Sequence, residues 1–200
     1  MAADYRALDL PHQLRNWRKC GLRLVFGAPA CQEAAPVQQG TARWEEEFRP
    51  PEPWLGVWNS ISRLPCPLLW TYQELGPDLL SPGQTQRQEL FAKICRHMEV
   101  PADCIVFWPL SEHARQGTKA RLDIFWQGVR LIKPRYLLVF GQQAMHVLYP
   151  DLAGQYGLYT QPRPNVLYLP GPQDMLPDNR QAKAFVWKML QQIQKQVFPG

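Results

Sequence analysis

The sequence has little that marks a metal, nucleotide or membrane protein. Its five cysteines, Cys20, Cys31, Cys66, Cys95 and Cys104, are odd in number and include no C-x-x-C pair. That pattern argues against zinc and iron–sulfur frameworks and against a complete disulfide set; the cysteines read as reduced, buried thiols of a cytoplasmic protein. No metal and no cofactor is expected. There is no Walker sequence, no G-x-G-x-x-G and no G-x-S-x-G, so phosphate loops, dinucleotide fingerprints and nucleophile elbows are missing. The apolar runs are too short to span a bilayer, and Met1-Ala-Ala-Asp-Tyr-Arg6 has no apolar signal core, so no membrane association is expected. No internal repeat is visible.

What is present is a chain of 200 residues, 46% apolar, enough for one domain with extensions and a real core. Lys and Arg number 22 against 17 Asp and Glu, a net charge of +5. This mild surplus permits contact with nucleic acid or an acidic partner without requiring either. Residues 1–52 show no sustained period and read as an N-terminal arm followed by a Pro/Gln/Ala-rich linker. In the arm, Leu14 and Trp17 lie at roughly helical spacing with Leu8 and Leu10, beside Arg15, Arg18 and Lys19. That segment is either a partner-binding arm or an element packed on the domain.

Residues 53–200 read as one α/β domain. Its centre is Ile132-Lys-Pro-Arg-Tyr-Leu-Leu-Val-Phe-Gly-Gln-Gln-Ala144, where Tyr136 to Phe140 is apolar on both faces, as a strand covered by helices on each side requires. Leu68 to Tyr72, Cys104 to Trp108 and Val166 to Leu169 read as further strands. Helices are predicted over about 53–63, 82–98, 120–132, 142–149 and 179–197, the second capped by Ser81-Pro82. Stretches 73–78, 111–119 and 151–165 are read as loops. Strands alternating with helices imply a three-layer sandwich with a central, mainly parallel sheet of about four strands. A site would then lie at the carboxyl ends of those strands.

Candidate chemistry at that edge is sparse. Glu74 and Asp78 follow the first strand, and either carboxylate is a candidate general base; Asp174 follows the last and could face Glu74. His113, in the loop after the second strand, is the best-placed of the four histidines. The ordinary alternatives are a helix-entry residue or solvated loop charge for Glu74 and Asp78, and turn chemistry for Asp174. Arg115, Lys119, Arg121 and Arg163 are candidate nucleic-acid contacts, with Trp108, Tyr159 and Tyr168 available for stacking. Solvated charges beside core aromatics are the plain alternative.

Three of these stretches resemble the uracil-DNA glycosylase superfamily over roughly residues 66–198. Leu68-Leu-Trp-Thr-Tyr-Gln-Glu-Leu-Gly76 occupies the place of the first strand and its water-activating loop. Ile132 to Ala144 is similar to the family's strand–Gly–x–x–Ala segment. Val166-Leu-Tyr-Leu-Pro-Gly-Pro-Gln-Asp-Met-Leu176 stands where the last strand and its H-P-S loop would be. The resemblance implies a pocket built from Gln73, Glu74, Gly141, Gln142, Pro170 and Gly171. The histidine of H-P-S is replaced by Leu169-Pro170-Gly171, and the pattern of four iron–sulfur cysteines is missing. Loss of one preorganised donor costs about 10²–10³ in rate, so the pocket is read as degenerate and Glu74, His113 and Asp174 as vestigial.

The departures fit a second resemblance, to the psi family of bacterial DNA polymerase III clamp-loader subunits. Leu169-Pro-Gly-Pro-Gln-Asp-Met-Leu176, then Ala182-Lys-Ala-Phe-Val-Trp187, then Val197-Phe-Pro199 carry it. It implies a glycosylase-like fold without catalysis, acting in replication or repair through clamp-loader subunits or DNA, with Leu14 and Trp17 in the docking arm. An active uracil-DNA glycosylase with a divergent site and a simple single-stranded DNA-binding module remain the alternatives.

Overall fold

A computed structural model describes residues 48–198, apart from 82, 84, 99, 115, 116, 153 and 161–163. The Leu14–Trp17 arm, Arg115 and Arg163 lie outside the described residues. Among the described residues the first element is a short helix, α1 (Trp54–Trp58), followed by strand β1 (Leu68–Tyr72). Helices α2 (Leu75–Leu80) and α3 (Gln86–His97) lead to β2 (Ile105–Phe107). A hairpin, β3 (Ser111–Ala114) and β4 (Gly117–Ala120), precedes α4 (Leu122–Ile132). Then come β5 (Tyr136–Phe140), α5 (Gln142–Leu148), β6 (Gly157–Tyr159), β7 (Asn165–Leu169), α6 (Pro172–Met175) and α7 (Arg180–Val197).

The central sheet has five strands in the order β2-β1-β5-β7-β6. The first four are parallel, and β6 joins antiparallel to β7, pairing Leu158 with Leu167. The predicted parallel sheet is therefore present, with a fifth strand in the stretch read as loop. Every residue of β1 and β5 is buried, the signature of strands covered on both faces. Their side chains alternate between two helical layers. On one face Trp70, Tyr72, Phe107 and Phe140 surround Phe91 of α3, with Tyr72 stacked on it at 4.9 Å. Tyr136 shares the face of Phe140 and donates its hydroxyl to Gln196 of α7 at 2.7 Å, so α3 and α7 form this layer.

Trp108 follows Phe107 and turns to the opposite face. There its indole donates to the Phe125 carbonyl of α4 at 3.2 Å and meets Phe48 and Trp58. Trp54 of α1 donates to the Pro109 carbonyl at 2.6 Å. Trp126 of α4 meets Tyr149 at the end of α5, completing the second layer. Phe48 is already packed in this core.

Four expectations are corrected. The helix predicted over 82–98 starts at Gln86, because Thr85 and Gln88 form a reciprocal capping box. Ser81 instead ends α2, which occupies the stretch read as a loop. The helix predicted over 53–63 stops at Trp58. The polar stretch 111–119 folds back as the β3–β4 hairpin, paired from Ser111 with Ala120 to Ala114 with Gly117. Gly117, at φ +91°, supplies the left-handed turn conformation.

Packing against Trp108 sets one firm constraint. A methyl group at Gly128 would overlap the Trp108 indole, which is fully buried. Gly128→Ala is expected to cost about 1–3 kcal/mol despite the better helix propensity of Ala. Urea denaturation checks this; an unchanged or raised midpoint contradicts the packing described.

Candidate functional site

The carboxyl edge of the sheet is built outward from the ends of β1, β5 and β7. Register places Tyr72 beside Phe140 and Phe140 beside Leu169, so the chain leaves all three strands at one level. Gly141 continues the ladder, its amide donating to the Leu169 carbonyl at 2.9 Å. Its φ of +91° is open to glycine at little cost. Gly171 lies directly against it. A Cβ placed on Gly171 would sit 2.8 Å from the Gly141 Cα, and one on Gly141 would sit 3.3 Å from the Gly171 Cα. The two backbones touch with no room for a side-chain atom between them.

Gly171 is also held from the far side. The Asp174 carboxylate accepts from the Gly171 amide at 2.7 Å and caps α6. The same carboxylate accepts from the Tyr156 hydroxyl at 3.3 Å, and Tyr156 packs on Tyr168. Burial, then the Asp174 charge, pushes the Tyr156 phenol up to about 12. Asp174 therefore turns into its own helix and does not face Glu74. Its neighbour Gln173 does so instead, donating its side-chain amide to the Glu74 carboxylate. This bridge spans the edge from the end of β1 to α6.

Gln73 points the other way. Its side-chain amide donates to Thr118 of the hairpin at 2.9 Å, and its main-chain carbonyl accepts from Ser111. A methyl group at Gly76 would overlap the Ser111 carbonyl oxygen, so α2 and the hairpin are in backbone contact. The Gln73 side-chain oxygen is buried without a partner. His113 lies on an exposed position of β3. Pro170 is buried, whereas Gln142 is exposed and lines a separate cavity of about 230 Å³ with Met145, His146, Gly154 and Tyr168. The pocket residues of the sequence reading thus share an edge, but their polar groups are directed to different neighbours.

The candidate nucleic-acid contacts are likewise divided. Arg121 is bound by Asp123 at 2.9 Å and Glu112 at 3.3 Å. Lys119 is exposed on β4, opposite Glu112. Among the described residues no group of three His, Cys, Asp or Glu side chains could hold a metal ion, and Cys66, Cys95 and Cys104 are free and buried.

The strongest polar cluster lies below the edge. Asp78, only 2% exposed, accepts from the Tyr72 hydroxyl at 2.7 Å and from two guanidinium nitrogens of Arg87 at 2.8 and 2.5 Å. Gln88 donates to the Asp78 main-chain carbonyl at 2.6 Å. Every partner is used to fasten α2 and α3 to β1. Asp78, named above as a candidate base, is thus a structural anchor. Its role was signalled by a carboxylate inside an otherwise apolar segment that has Arg87 in the next helix. The Gly141–Gly171 contact had only a weak signal, a glycine after each of two strands.

A scan against protein-family models finds no match to this chain, and a search of curated proteins finds none either. No helix among the described residues is long and apolar enough to cross a membrane.

Asp78→Ala is expected to cost about 2–4 kcal/mol, because it strands the Tyr72 hydroxyl and the partly exposed Arg87. Burial, then the adjacent Asp78 charge, pushes the Tyr72 phenol well above its ordinary range. Burial raises the Cys66 thiol from 9.0 to about 12 and the Cys104 thiol to about 11. The folded state keeps these protons where the unfolded chain gives them up. Stability is therefore fully present below the ordinary thiol and phenol ranges and falls as pH rises through them. Urea midpoints taken from neutral to strongly alkaline pH should decline, and less steeply in Tyr72→Phe.

Proposed function

We propose that this chain is a non-catalytic accessory protein of DNA replication or repair, with a uracil-DNA-glycosylase-like fold, acting through protein contacts in the manner of the psi family. The mainly parallel sheet with helices on both faces is compatible with that fold. The reading rests on the two resemblances together with the state of the sheet's carboxyl edge. The observation that carries it is the backbone contact of Gly171 with Gly141, flanked by the Gln173–Glu74 bridge. A glycosylase needs space for an extruded base, a carboxylate free to direct water and a donor for the departing base. Here the chain segments that leave β5 and β7 are in backbone contact at Gly141 and Gly171, with no side chain between them. Glu74 is engaged, Asp174 caps α6, and Leu169-Pro170-Gly171 offers no side-chain donor.

A direct DNA-binding role finds less support, since Arg121 is paired with two carboxylates of its own chain. Protein contact through clamp-loader subunits is the favoured mode.

Two assays test the proposal. Incubation with a uracil-containing single-stranded oligonucleotide at high protein concentration should release no uracil. Release that disappears in Glu74→Gln overturns the non-catalytic reading. The full chain, with residues 1–52 intact, should co-purify with purified clamp-loader subunits; absence of any such complex overturns the assignment to that assembly.

A further inference from the structure

The surplus charge of the chain is confined to one part of it. Residues 124–200 hold eight Lys or Arg against three Asp, a surplus of five that equals the net charge of the whole chain. Half of these cations lie at the amino ends of the strands, opposite the edge described above. Arg130 is in the last turn of α4, and Lys133 ends that helix with a left-handed backbone at φ 51°. The segment is stitched to the strand starts. The Ile132 carbonyl accepts from the Cys66 amide at 3.1 Å, and the Arg135 carbonyl accepts from the Asn165 amide at 3.1 Å. The Arg135 guanidinium donates to the Gln196 carbonyl at 3.1 Å, which brings the last turn of α7, with Lys195, to the same place. Arg130, Lys133, Arg135 and Lys195 thus form a band across this edge from α4 to α7, and all four are exposed.

The surroundings do not cancel the band. None of its four cations makes an ion pair among the described residues; Arg135 lies over the Tyr136 ring, 5.6 Å from its centre. Of the acids on this side, Asp103 is bound by Arg63 at 3.6 Å. Asp151, exposed after α5, is paired with none of the four, and Glu99 lies outside the described residues. The C-terminal ends of α4 and α7 each carry about half a negative charge, which four full cations exceed. The opposite edge is balanced: Arg87, Arg121, Arg180 and Lys183 are each bound there by an Asp. An apolar groove of about 640 Å³ between α3 and α7 is bordered by both Glu89 and Lys93, so its charge selects no partner.

We propose that this band is a contact surface for the phosphate backbone of duplex DNA, held without regard to base sequence. Phosphates are bound by Lys and Arg together with side-chain amides, and Gln127, Gln192 and Gln196 are exposed on the same two helices. A protein partner would call for an apolar centre, and Lys is depleted in such interfaces. Of the large apolar residues exposed among the described residues, only Leu64 is on this side. A single strand is held by stacking its bases on exposed rings. Here Tyr136, the ring beneath Arg135, is buried, and Phe198, after α7, is partly buried against the core. A duplex, which presents phosphates and keeps its bases stacked inside, is the partner that fits. This goes beyond the protein-contact reading and does not depend on it, and it moves the DNA contact away from Lys119 and Arg121.

The test uses the full chain and a fluorescein-labelled duplex, followed by fluorescence anisotropy between about 50 and about 200 mM NaCl. Four phosphate contacts predict a slope of log K against log salt of about −3.6, so binding should weaken about a hundredfold over that range. Lys133→Gln combined with Lys195→Gln should bring the slope to about −1.8 and weaken binding about tenfold or more at the lower salt. Arg180→Gln combined with Lys183→Gln removes the same charge at the opposite edge and should leave the slope unchanged. All chains are compared below their melting temperatures, so that lost folding is not taken for lost binding. Absent binding at the lower salt, an equal loss in both double variants, or indifference to the first would overturn the proposal. So would tighter binding of the corresponding single strand, or of an oligoglutamate of equal charge, which would assign the band to a single strand or to an acidic protein.

Discussion

The contact between the Gly141 and Gly171 backbones determines what the carboxyl edge of this sheet can hold. In an open α/β sheet that edge is where strands end, helices begin and ligands bind. Here adjacent strands β5 and β7 deliver two glycines that pack against each other, and a Cβ on Gly171 would come within 2.8 Å of its neighbour. Gly171 is fixed further by the carboxylate of Asp174, and α6 then brings Gln173 over to Glu74. The Glu74 and Asp174 carboxylates thus both accept hydrogen bonds from within the edge.

A second constraint works beneath it. Asp78 joins the hydroxyl of Tyr72 to the guanidinium of Arg87, with Tyr72 stacked on Phe91. A carboxylate so deeply placed is tolerated because it is paired and hydrogen-bonded on every side. It fastens the turn after β1, so the position of Glu74 depends on it. The rigid edge and the apolar groove between α3 and α7 then divide the molecule. At one surface Glu74, Gln173 and Asp174 contact groups of the edge itself, and at another Trp187 is partly exposed.

Much of the fold was legible. Tyr136–Phe140 and Leu68–Tyr72 declare themselves because they are apolar on both faces, a pattern that leaves no other place for them than the centre of a covered sheet. The hairpin did not, because β3 and β4 alternate only between exposed and partly buried residues, apart from Ser111. What orders them is tertiary: Gln73 bound to Thr118, and Gly76 against Ser111. Strand β6 is three residues long, too short for any period to show. The start of α3 was readable in Thr85-x-x-Gln88, but Pro82 gave a competing signal. At the site, the sequence located Glu74 and Asp174 at one edge. For Asp174 the local alternative, a carboxylate bonded to its own turn, describes the contact with Gly171, and the bridge from Gln173 to Glu74 had no signal.

Whether the edge at Gly141 and Gly171 admits a base separates a non-catalytic role from a glycosylase. The most direct measurement is a titration of the ¹⁵N-labelled chain with a single-stranded oligonucleotide carrying a non-cleavable uracil analogue, followed at the amides of Gly141, Gly171 and Gln173. A closed edge predicts no saturable shift at these three amides. Saturable shifts there, lost on competition with free uracil, would contradict it.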